Sequence, residues 1–551
     1  MRSRFALLAL FIYPCLAQDA ARMDQVMQSY VAGHFMGTAL VARGNQVLFS
    51  KGYGSADLEW DIPNSPNTKF RLGSVTKQFT AASILLLEER GKLSVNDPVK
   101  KYVPDAPAAW DKITIYNLLT HTSGIPNYTS FPDYPKFQSL PNTAEELVAR
   151  FRDKPLDFEP GEKWSYSNSG YVLLGYLIEK ITGASYEKFL QENIFTPLGM
   201  KDTGYDSNTA IISRRASGYD RPPGKDLIEN AGYVHMSVPH GAGALYSTTG
   251  DLLKWEQGLF GGKLLQPKSL EKMTTPFKSD YAFGLTVHTV NGHKIIEHGG
   301  GINGFVTNLA YYPDDKLTVV VLENVIGGPA PGQISSKLAA VGLGEAVKLT
   351  TERKEITLDP QVLGRYVGAY QMAAGVNMVI TLDKGQLSST LGFQASMPIF
   401  PESETMFFPK AVDAELEFSA DAGQLTLHQN GRDMTAKRVE DSETQRAARR
   451  FKEQTATPGS EALVRMAMEK LRAGNPDYDR MSPTLAANTR QQLPQIQGLL
   501  GRFGALQSLS FKGVAPNGAD IYQLKFENGS LEYKILLGTD GKVEGAGFRP
   551  L

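Results

Sequence analysis

Ser74 and Lys77 stand three residues apart in Arg71-Leu72-Gly73-Ser74-Val75-Thr76-Lys77-Gln78-Phe79-Thr80, just before the apolar run 81–87. Such a run reads as a buried helix, which sets the hydroxyl and the amine on one face, a turn apart. The chemistry open to this pair is nucleophilic. A desolvated, neutral amine takes the hydroxyl proton, and the helix terminus offers unpaired N–H groups to a developing oxyanion. A helix cap is the plainer reading of Ser74 taken alone. The same spacing recurs at Ser185…Lys188 and Ser269…Lys272, behind Gly183-Ala184 and Pro267-Lys268, where the serines read as caps of amphipathic helices.

Two further stretches carry chemistry. Tyr166-Ser167-Asn168 reads as a loop before the apolar helix 172–178. It supplies a phenol that can share a proton with a serine–lysine pair and a carboxamide that can hold a substrate amide; a loop tyrosine that only packs is the alternative. His298-Gly299-Gly300-Gly301 ends a short strand in consecutive glycines, where a backbone can approach a substrate and donate an N–H. A solvated strand-end histidine beside a turn is the plainer alternative.

The elements that must position these groups follow in order. An amphipathic helix is expected near 20–32, and a β-hairpin over 38–42 and 47–50 around Gly44-Asn45. Ser74 then sits where sheet gives way to helices. A helix at 144–151, a strand or loop entering a capped helix over 241–255, and two strands over 304–311 and 317–322 complete the first part. After a linker at 347–358, short alternating runs (378–382, 386–391, 415–418, 424–428) separated by turns predict a small antiparallel barrel or sandwich. A polar stretch at 441–460 reads as a second linker or exposed helix. Helices near 461–473 and 489–503, then four strand-like runs between 506 and 548, predict an α+β domain.

Global composition narrows the field. With 42% hydrophobic and 21% charged residues the chain is ordinary globular protein, and 551 residues leave room for several domains. Charge is balanced, 57 basic against 58 acidic residues, with no basic cluster, which argues against nucleic acid as a partner. Arg2 and Arg4, the apolar run 5–12 and Cys15-Leu16-Ala17 form the pattern of a signal peptide over residues 1–17. The run is shorter than a membrane span, so no transmembrane segment is expected after cleavage. Cys15 is the single cysteine, so the mature chain would hold no disulfide and no thiolate site. The eight histidines form no ligand-spaced motif with carboxylates, and neither metal nor cofactor is expected.

Jointly, in this order and spacing, the three segments resemble the serine β-lactamase and penicillin-binding protein family, in particular its branch of class C β-lactamases, DD-peptidases and esterases. The resemblance covers residues 24–345 and extends to Leu118-Leu119-Thr120-His121-Thr122-Ser123-Gly124 and Tyr246-Ser247-Thr248-Thr249-Gly250-Asp251-Leu252. It implies a β-lactamase/transpeptidase-like fold, an antiparallel sheet flanked by helices. It further implies Ser74 as acylated nucleophile, Lys77 as its amine partner, Tyr166 as phenolic base and acid, and Asn168 as holder of the substrate amide. His298 stands where β-lactamases usually have lysine, Gly299 and Gly300 continue that strand against the substrate, and the Gly301 N–H completes an oxyanion hole with that of Ser74. A histidine near its ordinary pKa is only partly charged at neutral pH, so strong β-lactam hydrolysis is disfavoured relative to esters or amides of D-residues. Which of Lys77 and Tyr166 is the base is left open.

Residues 359–440 resemble the lipocalin-like barrels that follow this family, and 455–551 resemble a cystatin- or nuclear-transport-factor-2-like domain. The expectation is therefore an exported, periplasmic or extracellular, metal-independent serine hydrolase acting on a small-molecule or peptide substrate. Its alternatives are a class C-like β-lactamase, or a penicillin-recognising sensor that acylates without efficient turnover. The C-terminal domains are where a homo-oligomer would form.

Overall fold

The central strands of the first half are buried on both faces, so that alternate residues of each feed two cores. The computed structural model describes residues 9–222, 227–349, 352–373, 376–410, 412–429, 432–440 and 442–551, in two compact units, Met1–Leu349 and Thr350–Leu551. In the first unit, α1 (Ala9–Val31), β1 (Gly37–Arg43) and β2 (Gln46–Tyr53) precede α2 (Thr76–Glu89) and α3 (Asn168–Thr182). The chain returns through β3 (Thr286–Val290), β4 (His293–Ile302), β5 (Phe305–Tyr312), β6 (Leu317–Glu323) and α4 (Pro331–Leu343). The six strands form one sheet in the order β3-β4-β5-β6-β1-β2, its successive pairs antiparallel.

Period-2 alternation sorts the sheet's side chains. Ala39, Val41, Val319 and Val321 face Met23 and Met27 of α1 and Ile334 and Leu338 of α4. Leu40, Ala42, Val320 and Leu322 join the larger core with Phe79, Ile84, Leu173 and Leu177 of α2 and α3. β6 is buried along its whole length, which is why its sequence, Leu-Thr-Val-Val-Val-Leu-Glu, shows no polar face. α2 is buried from Thr76 to Leu87, polar residues included. Two of its polar groups are answered from within: Thr80 Oγ1 donates to the Gly241 carbonyl (2.6 Å), and Trp255 Nε1 donates to Gln78 Oε1 (2.9 Å).

Several sequence expectations are adjusted. The N-terminal helix runs from Ala9 rather than from about 20; residues 1–8, the charged start of the expected signal peptide, lie outside the described residues. Among the described residues no helix is long and apolar enough to cross a membrane. Ser185 does cap its helix, accepting from Lys188 N (3.2 Å). Ser269 does not: Gln266 holds the cap position and Ser269 lies buried inside the first turn.

The second unit opens with a closed antiparallel barrel of β7 (Gly368–Ala373), β8 (Val376–Asp383), β9 (Gln386–Leu391), β10 (Met397–Pro401), β11 (Met406–Pro409), β12 (Glu415–Phe418), β13 (Gln424–Gln429) and β14 (Arg432–Val439). β10 and β11 escaped the sequence reading because they are short and carry Pro398, Pro401 and Pro409, which mask a strand signal. Tyr366, Tyr370 and Phe407 close around Phe418 inside the barrel, with ring centres 4.5–5.5 Å apart. Its interior is thus packed as a core.

Helices α5 (Ser442–Glu453), α6 (Ser460–Arg472) and α7 (Pro483–Phe503) lead to a meander of β15 (Leu506–Val514), β16 (Asp520–Phe526), β17 (Gly529–Leu537) and β18 (Val543–Pro550). α7 begins earlier than expected because the Ser482 hydroxyl caps it, accepting from Leu485 N (3.2 Å).

Candidate active site

Ser74 lies in a single 3₁₀ turn, Gly73–Val75, that feeds α2, with Lys77 one turn on. Gly73 adopts φ +53°, and a Cβ there would stand 2.7 Å from the Gly301 amide nitrogen, so only glycine lets this turn meet β4. A Cβ on Gly300 would stand 1.9 Å from the Leu72 carbonyl oxygen. Thr307 Oγ1 ties β5 to the same carbonyl (2.8 Å). The glycines therefore remain in strand rather than forming the turn that was their plainer alternative, and their missing side chains let β4 lie against the nucleophile turn.

With the β4–β5 hairpin closed at Ile302↔Phe305, the alternation of an antiparallel ladder turns the Gly301 amide away from β5, and its nitrogen lies against Gly73 of the nucleophile turn. We expect Gly300→Ala to push β4 off this turn and lower kcat/KM about 10²–10³-fold, the scale of one lost oxyanion donor. Steady-state kinetics beside a thermal melt will separate that loss from simple unfolding.

Lys77 is wholly buried, and desolvation drives its amine well below the ordinary lysine value. Its Nζ lies 3.1 Å from Ser74 Oγ, 2.8 Å from Asn168 Oδ1 and 2.9 Å from the Ala242 carbonyl oxygen. The last two atoms can only accept, and Asn168 is oriented by its Nδ2 donating to Thr129 Oγ1 (3.2 Å). A neutral amine spends its two hydrogens on them and aims its lone pair at the Ser74 hydroxyl. Asn168 itself opens α3 rather than lying in a loop.

Tyr166 hydrogen-bonds Ser74, and burial raises its phenol while that bond lowers it in part, leaving it above the ordinary tyrosine value. Its ring stands 4.8 Å from Lys77 Nζ. Between the two candidate bases, burial thus acts oppositely: it disfavours the charged amine of Lys77 and disfavours the phenolate of Tyr166.

His298 is buried on β4 rather than solvated at a strand end. Desolvation, with the nearby Lys77 adding to it, lowers its pKa to about 3, so the imidazole is uncharged at neutral pH rather than partly charged as expected from sequence. Gly299 beside it is exposed and Gly300 partly so, where β4 runs beyond its pairing with β3.

Sequence reading missed the supporting shell. His121 (φ +57°) stacks within 4.4–5.1 Å of Tyr166, Tyr171 and Tyr281, and its Nδ1 accepts from Ser167 N (3.2 Å). The Ala242 carbonyl reaches Lys77 because Gly241 packs flush on α3: a Cβ there would meet the Tyr171 carbonyl oxygen at 2.6 Å. The small-residue run Gly241-Ala242-Gly243 was the one sequence signal of that approach. Nothing in the spacing of Tyr281 announces its contact. Among the described residues no group of three or more His, Cys, Asp or Glu is placed to hold a metal ion.

Comparison with known proteins adds to this geometry. A family model described as Beta-lactamase matches residues 23–342, and one described as a domain of unknown function, DUF3471, matches 352–443. Penicillin-binding protein 4* of Bacillus subtilis (strain 168) is 31% identical over 433 residues, covering 74% of this chain and 95% of that protein. An octameric penicillin-binding protein homologue from Pyrococcus abyssi superposes with a TM-score of 0.54 at 27% identity, over 76% of this chain and 99% of that one. A D-stereospecific amidohydrolase from Streptomyces sp. gives 0.52 at 27% identity, over 59% of this chain and 99% of that one.

Proposed function

The chain belongs to the β-lactamase and penicillin-binding protein family of serine hydrolases, and from that premise we propose an exported enzyme that cleaves D-amino-acid amides or peptides, or carboxylic esters, through an acyl-enzyme on Ser74. The observation that carries this reading is the Lys77 amine, buried without a carboxylate partner among its hydrogen-bonding atoms and 3.1 Å from Ser74 Oγ.

In this reading Lys77 Nζ takes the hydroxyl proton as Ser74 Oγ bonds to the substrate carbonyl carbon. The N–H groups of Ser74 and Gly301 hold the oxyanion. Tyr166, still protonated, passes a proton to the leaving amine or alkoxide as the acyl C–N or C–O bond breaks, and is itself reprotonated from Lys77. Water then attacks the ester with the same groups in reverse, releasing the acid and restoring Ser74. Asn168 and the exposed edge of Gly299 and Gly300 flank the substrate backbone as an added strand would be flanked.

The Streptomyces amidohydrolase supports D-residue amides as substrates. The signal pattern over 1–17 supports export to the periplasm or medium. The octameric homologue supports a homo-oligomer, which light scattering on the mature chain will read directly.

The test is mass spectrometry after brief exposure to p-nitrophenyl acetate, a D-amino-acid amide and a fluorescent penicillin. We expect an adduct on the Ser74 peptide that decays with turnover of the ester or amide. A stable penicillin adduct without turnover of either substrate would instead support a penicillin sensor. Rapid penicillin turnover would support a β-lactamase, and absence of any adduct would remove the acyl-enzyme reading.

A further inference from the structure

Both ring nitrogens of His298 are committed. Nδ1 lies 2.6 Å from the Gly299 carbonyl oxygen, which can only accept, so Nδ1 carries the hydrogen. In the uncharged ring Nε2 then has a lone pair, and it lies 2.9 Å from the Tyr281 hydroxyl, which must donate to it. Tyr281 is 3% exposed and meets the imidazole edge to face, ring centres 5.7 Å apart.

The segment holding Tyr281 is strained into place. Ser279 and Asp280, immediately before it, both take left-handed backbone, φ +53° and +57°. Tyr281 N donates back to the Lys278 carbonyl (3.0 Å), and Phe277 N donates to that of Tyr281 (2.9 Å). Three residues on, a Cβ at Gly284 (φ +69°) would stand 2.6 Å from the Lys77 carbonyl oxygen, so this loop is pressed onto α2 itself. Consecutive non-glycine residues in this region persist only where surrounding structure holds them, and such strain gathers at functional sites.

We propose that Tyr281 is a positioning residue of the acyl-transfer site: its hydroxyl fixes His298 as the uncharged Nδ1–H tautomer, whose bond to the Gly299 carbonyl sets the strand that carries the Gly301 amide. The consequence for catalysis rests on the acyl-enzyme reading; the tautomer does not. The other titratable groups facing His298 are Tyr166, with ring centres 6.3 Å apart, and Lys77, whose charge would oppose a second one. His121 packs against Tyr281 and also senses His298, and the Tyr171 hydroxyl donates to the Leu119 carbonyl (2.8 Å) while its oxygen pairs with the Tyr281 hydroxyl. None of these is a carboxylate that would favour imidazolium.

The experiment pairs ring nitrogen NMR of ¹⁵N-histidine protein with a double-mutant cycle. Wild type is expected to show His298 as the Nδ1–H tautomer at pH 7, and Tyr281→Phe to shift the Nε2 resonance as its lone pair loses the hydroxyl donor. Tyr281→Phe is expected to lower kcat for an ester about tenfold with little change in KM, as for a group felt chiefly in the transition state. In a His298→Leu background the same change is expected to have no further effect, whereas His298→Gln, which keeps one donor and one acceptor, should stay within tenfold of wild type. An Nε2–H wild type, an unchanged Tyr281→Phe spectrum, or effects that multiply in the cycle would each overturn the proposal. Labelling of Ser74 by p-nitrophenyl acetate, run on every variant, separates these outcomes: an unlabelled wild type sinks the acyl-enzyme reading, while the NMR still decides the tautomer.

Discussion

Ser74→Ala is expected to cut ester turnover about 10⁶-fold, the scale on which a serine nucleophile is lost, while the protein still folds. The reasoning is local. The variant removes one half-buried hydroxyl at the mouth of a turn whose backbone is set by Gly73 and by the contact with Gly301, neither of which depends on the Ser74 side chain. A drop of that size corresponds to about 8 kcal/mol of transition-state stabilisation at 1.36 kcal/mol per decade. The measurement is the burst and steady state of p-nitrophenyl acetate hydrolysis against a matched melting curve. Activity within tenfold of wild type would place the nucleophile elsewhere.

Lys77→Met carries the second-largest effect. The substitution keeps an unbranched apolar stem and removes the proton acceptor, so kcat should fall about 10³–10⁴-fold, within the usual range for a general base. Burial disfavours the charged amine, so the wild-type acid limb of kcat/KM should lie well below the ordinary lysine value. The sign is clear: below that limb Lys77 carries a proton and cannot take another, so the rate rises with pH through it and then levels. Because burial raises Tyr166, no basic limb from the phenol is expected within the ordinary assay range. In Lys77→Met the acid limb should vanish from the residual rate; its persistence would assign it to another group. The change also strands the buried Ala242 carbonyl, at a cost of about 1–3 kcal/mol, and the half-buried Asn168 Oδ1, so circular dichroism must accompany the kinetics.

The pairing of Ser74 with Lys77 was legible in sequence because three residues on a helix are neighbours whatever surrounds them. Tyr166 and Asn168 were legible only as members of an ordered set with Ser74 and His298, since a tyrosine and an asparagine two apart say little alone. Four of the barrel's strands, β8, β9, β12 and β13, showed in their alternation; β14 was not read despite its eight residues, and β10 and β11 were not, since four or five residues with prolines carry too little of it. The meander of the last domain was read nearly strand for strand, because its turns and its period-2 runs are both local.

What only the tertiary structure decided was charge. Whether Lys77 or Tyr166 gives up its proton depends on how much water each retains, and that is set by α3, by Gly241–Ala242 and by the loop at Gly284, residues far away in the chain. His298 looked like a partly charged strand-end histidine until β4 was seen buried against Tyr281, a contact across 17 residues that no periodicity encodes. The sequence therefore determined that Ser74 meets Lys77, through spacing along a helix, and grouped Tyr166, Asn168 and His298 with them only as an ordered set. Packing of distant segments determined their protonation, because desolvation and hydrogen-bond partners are properties of an enclosed space.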